Sequence, residues 1–131
     1  MTEVFVDTSY WLALLHPGDG YHPRAKEMPR PARMVTTVAI QLEVMDAFSA
    51  PPNRGLALQF WQITNSDSEL EIVPLNSSLL ERGVALFQSR PDKGWSVTDC
   101  ISFVVMKRDG MTDALTGDHH FEQAGFVALL K

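Results

Sequence analysis

Short apolar runs alternate with longer helix-like stretches along this chain, and that alternation restricts the fold more than any other feature. Residues 4–6, 34–36, 70–73, 114–116 and 126–129 read as strands. Between them, 9–15, 21–27, 37–48, 56–64, 77–87, 96–110 and 121–124 carry helical spacing or helix boundary signals. Ser9 and Thr37 are expected N-caps, Pro51-Pro52 a stop, and Gly110 a left-handed helix end. Strands separated by helices predict an α/β fold, a parallel sheet with helices on both faces. Ligands of such sheets bind beyond the carboxyl ends of the strands. Asp7 closes the first run, Val4-Phe5-Val6, and Asp118 follows Ala114-Leu115-Thr116-Gly117.

With 131 residues, 45% hydrophobic and 21% charged, the chain is expected to form one globular domain over 1–131. Its net charge of -5 gives no overall attraction to nucleic acid. A polyanionic ligand would need local basic groups or bridging cations. Arg24, Lys26, Lys107 and Arg108 are candidate phosphate contacts, each read more simply as a solvated surface charge, and no basic stripe with interleaved aromatics is visible. The single Cys100 lies in an apolar helical stretch and reads as a packed thiol in a reducing compartment. Met1-Thr2-Glu3 leads straight into a strand, unlike a signal peptide, and the apolar run 10–15 is too short for a membrane span. A soluble, cytoplasmic protein is expected.

Four acids stand out, each with an ordinary reading beside the functional one. Asp7 can cap a helix, although Ser9 could fill that role. Glu43 has Ala39, Ile40, Asp46 and Ala47 as its helical neighbours, none of them a cation, so it lies at a surface edge or points into a site. Asp99 forms a capping-box pattern with Ser96 at the start of a mostly apolar helix. Asp118 fits a turn, with Gly117 expected to let the backbone bend sharply over the strand end, and His119 and His120 at the following helix start read as solvent-exposed, with phosphate contact as their functional alternative. Four converging carboxylates would repel strongly without cations, and oxygen ligands of this kind suit Mg²⁺ or Mn²⁺ rather than zinc.

The ordered set Phe5-Val6-Asp7-Thr8-Ser9, Thr37 with Glu43, Thr98-Asp99, Leu115-Thr116-Gly117-Asp118-His119-His120-Phe121 and Gly125-Phe126 resembles the PIN domain family, small ribonuclease domains that include VapC-type toxins. The resemblance implies a three-layer α/β/α sandwich and metal-dependent cleavage of RNA, leaving a 5′-phosphate and a 3′-hydroxyl. It implies that Asp7, Glu43, Asp99 and Asp118 form the metal site, with Thr8, Ser9 and Thr116 as supporting hydroxyls. It also implies a homodimer and a cognate antitoxin as partners. An aspartyl-phosphate phosphatase would need a second Asp where Ser9 stands, and no Gly-rich phosphate loop is present. The competing reading is a catalytically silent interaction module on the same fold.

Overall fold

The computed structural model describes residues 3–131. The reading of Met1 and Thr2 lies outside them. Five strands, β1 (Glu3–Val6), β2 (Arg33–Thr37), β3 (Leu70–Val73), β4 (Asp113–Leu115) and β5 (Val127–Ala128), form one sheet. Its order is β3-β2-β1-β4-β5, and every neighbouring pair is parallel. The helices are α1 (Thr8–Leu15), α2 (His22–Glu27), α3 (Val38–Ala47), α4 (Arg54–Ser66), α5 (Ser77–Ser89), α6 (Val97–Arg108) and α7 (His119–Gln123), with a 3₁₀ turn at Pro51–Asn53.

The strand order explains the layering. From β1 the chain steps outward to β2 and then β3, crosses back to β4 on the other side of β1, and ends at β5. Right-handed crossovers therefore place α1–α4 on one face and α5–α7 on the other. Most helix contacts follow this division, with α1 against α2, α3 and α4, and α5 and α7 against α6, while α3 also meets α6 across it. The result is the expected α/β/α sandwich. β1 is buried on both faces, as a central parallel strand must be: Val4, Phe5 and Val6 are fully covered. Connections leave β1 and β4 in opposite directions, which makes the gap at their carboxyl ends the topological switch point of the sheet.

The core joins Phe5, Ile40, Phe60, Met106, Leu115 and Phe121. Aromatic edges extend it on the α6 side, with Phe103 against Phe121 at 4.9 Å and Trp95 against Phe103 at 5.1 Å between ring centroids. On the other side Gln41 Nε2 donates to Thr64 Oγ1 at 3.2 Å, tying α3 to α4 inside the protein. Cys100 is buried, and burial pushes its thiol above the ordinary range, in keeping with a packed side chain.

Several local expectations need revision. Ser9 is no N-cap: α1 starts at Thr8, and Asp7 takes the cap position in extended conformation without a side-chain cap bond. Thr37 does cap α3, accepting from the Ile40 amide. α4 begins two residues before the expected 56, α7 begins at His119 rather than 121, and β5 has only two residues. Gly110 has φ of 68° and ends α6 as its sequence position predicts. Gly117 has no left-handed backbone; what its position requires is space, because a Cβ there would lie 2.5 Å from the Tyr21 ring.

Candidate active site

The switch point carries the acids. Asp7 continues from β1 and its amide donates to the Leu115 carbonyl at 3.1 Å, so the side chains of Asp7 and Thr116 meet just past the paired ends of β1 and β4. Thr116 Oγ1 donates to Asp7 Oδ2 at 2.8 Å, and Ser9 Oγ donates to the same oxygen at 3.1 Å. The two hydroxyls lie 3.0 Å apart, and the Gly117 and Asp118 amides donate to Ser9 and Thr116 respectively. Ser9 is thus a strut between two strand ends, inside the first turn of a helix that starts two residues earlier than a Ser9 cap would allow.

Asp7 is buried, and burial is the largest influence on its carboxyl, pushing its pKa up to about 7. The Thr116 hydrogen bond opposes this, and the Asp99 carboxylate adds to it, which marks the two acids as electrostatic neighbours. No Lys or Arg pairs with Asp7, Glu43, Asp99 or Asp118 among the described residues.

Asp99 is held at the start of α6 by the capping box read from the sequence. Its amide donates to Ser96 Oγ at 2.9 Å, and its Oδ2 accepts from the Ser96 amide at 3.1 Å. Asp118 caps α7, its Oδ1 accepting from the His120 amide at 2.9 Å. Glu43, on α3, accepts a hydrogen bond from Thr8 Oγ1 on its Oε1. In each of these three acids the second carboxylate oxygen has no hydrogen-bond donor among the described residues. The ordinary readings and the functional ones are therefore compatible: one oxygen orients the side chain and the other stays open.

His120 is the participant that the sequence did not single out. Its Nδ1 lies 3.1 Å from Asp99 Oδ2 and 3.4 Å from Asp118 Oδ1, so a half-buried imidazole bridges the two acids. The available signal was its position two residues after a helix-capping Asp. His119 is exposed, with its Nδ1 3.6 Å from Asp118. Asp118, His119 and His120 each bring one ligand atom within 4.8 Å of the others, the one such trio of His, Cys, Asp or Glu among the described residues. Asp7 and Asp99 are linked electrostatically, while Glu43 is tied to this region only by the hydrogen bond from Thr8, the residue after Asp7. Asp46, beside Glu43 on α3, is exposed and outside the site.

The donor set fits a divalent cation. Open carboxylate oxygens with no Lys or Arg paired to them among the described residues suit a hard metal ion, and binding at Asp7 would release the proton that burial favours there. Of the candidate phosphate contacts, Arg24 is directed at the Leu129 and Lys131 carbonyls, 3.3 and 3.5 Å away, and Lys26 is exposed on α2. Lys107 and Arg108 lie at the opposite end of α6 from Asp99.

Comparison with known proteins agrees with this architecture. The chain is 28% identical over 126 residues to the 23S rRNA-specific endonuclease VapC20 of Mycobacterium tuberculosis, covering 95% of each protein. The crystal structure of that protein, a Sarcin-Ricin loop cleaving toxin, superposes with a TM-score of 0.88 at 26% identity, covering 95% of this chain and 96% of that one. The structure of FitAcB from Neisseria gonorrhoeae shares the fold, with a TM-score of 0.66 at 14% identity over 95% of this chain and 94% of that one. The PIN domain family model matches residues 4–127, and the chain belongs to the PIN domain family.

Proposed function

We propose that this chain is an endoribonuclease that uses Mg²⁺ or Mn²⁺, with Asp7, Glu43, Asp99 and Asp118 as its metal-binding and catalytic acids. The observation that carries the proposal is Asp7: a buried carboxyl with a pKa near 7, unpaired by any cation, at the switch point of the sheet beside Asp99. A buried acid in that state is poised to exchange its proton for a metal ion. Kinship with an endonuclease supports a nuclease reaction, and ribosomal RNA is the substrate to try first because VapC20 acts on it.

When bound, a divalent cation would lower the pKa of a nucleophilic water and neutralise phosphate oxygens. Asp7, Asp99 and Asp118 would hold it. Ser9 and Thr116 fix the rotamer of Asp7, so its free oxygen is aimed before ligand arrives. Glu43, oriented by Thr8, would accept a hydrogen bond from the attacking water and align it. His120 holds Asp99 and Asp118 in a common orientation.

The partner reading rests on uncovered apolar surface. Leu42 on α3 with Leu58 and Trp61 on α4, and Leu80, Val84 and Phe87 along α5, are exposed. Such faces suit an antitoxin segment and a second copy of the chain, as expected of the toxin of a toxin–antitoxin pair. No helix among the described residues is long and apolar enough to cross a membrane, in keeping with action on RNA in the cytoplasm by a single domain.

The test is cleavage of a ribosomal RNA fragment with Mg²⁺, with Mn²⁺ and with chelator, for the wild type, Asp7→Asn and Asp99→Asn. Metal-dependent cleavage lost in both variants is expected. Undiminished cleavage in both would remove the proposed centre, and an inactive wild type that binds no Mn²⁺ would favour the silent interaction module.

A further inference from the structure

A cavity of about 410 Å³ opens between α5, α6 and α7, away from the acids but connected to them through the chain. It is lined by edges of the buried core rings Trp95 and Phe103, by the half-buried Phe126, and by Arg82, Arg90, Lys107 and Arg108. None of its lining residues is acidic, in a protein whose net charge is -5. The four cations come from two helices and the turn after α5, so no basic run announces them in the sequence.

The cations differ in what they already do. Arg108 pairs with Asp109 at 2.9 Å, and Arg90 pairs with Asp92 at 3.0 Å while its guanidinium lies over the Trp95 ring, 5.2 Å from the centroid. Arg82 and Lys107 are exposed and have no ion-pair partner among the described residues. Two unneutralised charges beside a cavity with no acidic lining are elements of a site that tracks a nucleic-acid backbone, and the half-buried Phe126 is the aromatic ring left partly open to it.

Position favours RNA over an acidic protein segment. Trp95 immediately precedes Ser96, the residue that caps Asp99. Its Nε1 donates to Gln123 Oε1 on α7, the helix that carries His120, and the neighbouring Gly94 would bring a Cβ to 3.7 Å from His120 Nε2. From Asp99 to Lys107 is eight residues of α6, roughly 12 Å of helix. A strand with one phosphate at the acids would have to cover that distance to reach Lys107.

We infer that the α5–α6–α7 cavity is an accessory subsite for single-stranded RNA, seating a nucleotide outside the scissile step and contacting its backbone through Arg82 and Lys107. It rests on the nuclease reading above. The subsite serves affinity and register, and the acids perform the chemistry.

The test uses a fluorescent single-stranded RNA of about twelve nucleotides, within the range of known single-strand sites. Its affinity is measured by anisotropy with the Asp7→Asn chain, with and without Arg82→Glu/Lys107→Glu. Both changed side chains are exposed on helices, and the milder Arg82→Gln/Lys107→Gln pair replaces them if the charge reversal melts early. About tenfold weaker binding is expected, with the salt slope reduced by about 1.4 for two lost phosphate contacts. On the otherwise wild-type enzyme the same pair should raise KM and leave kcat unchanged. Unaltered RNA affinity and salt slope would overturn the subsite while leaving the nuclease intact. A wild type that cleaves nothing, yet loses RNA affinity on the double change, would sink the nuclease and keep the subsite. Loss of affinity for a polyglutamate peptide alone would reassign the cavity to an acidic protein partner.

Discussion

Replacing Asp7 by Asn should stabilise the metal-free protein at alkaline pH, although the same change removes the proposed catalytic centre. Burial raises the Asp7 carboxyl from 3.8 to about 7, so the native state holds this proton more tightly than the unfolded chain does. The associated stability is fully present below pH 3.8 and is lost as pH rises to about 7. At about 1.36 kcal/mol per pH unit, the interval sets a ceiling near 4 kcal/mol at pH 8. Asn keeps an oxygen to accept from Thr116 but brings an amide group needing an acceptor, a cost of roughly 1–2 kcal/mol. The net gain at pH 8 in chelator is therefore about 2–3 kcal/mol, a rise in Tm of roughly 6–12 °C. At pH 4 the native wild type keeps the proton and the unfolded chain, close to its own pKa of 3.8, keeps it in part, so little of the ionisation cost is left and the gain should vanish or reverse. Excess Mn²⁺ should then restore the wild type at pH 8, by about 2.7 kcal/mol at a hundredfold excess over Kd, and leave the variant unmoved. Thermal melts across pH 4–8, with and without metal, measure all three effects. A variant no more stable than the wild type in chelator at pH 8, or a difference independent of pH, would refute the account of Asp7.

Thr116→Val should cost about 1–3 kcal/mol by leaving the Asp118 amide and Asp7 without their buried partner, and it should move the acidic limb of the cleavage–pH profile upward. Gly83→Ala should lower Tm despite a gain in helix propensity of about 1 kcal/mol, because the new Cβ would meet Ile101 Cγ1 at 2.6 Å where α5 packs on α6. Ser96→Ala should cost about 1 kcal/mol in denaturant unfolding and reduce cleavage further, since the capping box orients Asp99 as well as starting α6.

The layered fold was legible because apolar runs and helical spacing are local signals, and Thr37, Ser96 and Gly110 behave as their chemistry dictates. The acids were legible as positions, at strand ends and helix starts. Their exchange of contacts was not. Nothing local to Ser9 indicates that its hydroxyl meets Thr116, since the contact depends on β1 pairing with β4. His120 reads as a surface residue until Asp118 caps α7 and turns the imidazole toward Asp99. The basic cavity was legible only in part: the adjacent Lys107 and Arg108 stood out as candidate phosphate contacts, but Arg82 and Arg90 join them only when α5 packs against α6. Gly117 was identified as special for its backbone, whereas the Tyr21 ring sets its requirement.

The pairing of β1 with β4 also has a consequence for how the protein is made. Asp7 is synthesised 109 residues before the Thr116 hydroxyl that aims it. Through most of translation β1 presents a bare edge on that side, and Asp7, Glu43 and Asp99 lack the strand and the helix cap that complete their surroundings. A nascent chain, or one truncated before β4, therefore has no assembled centre. On the proposed reading, cutting waits until β4 has been translated and paired with β1.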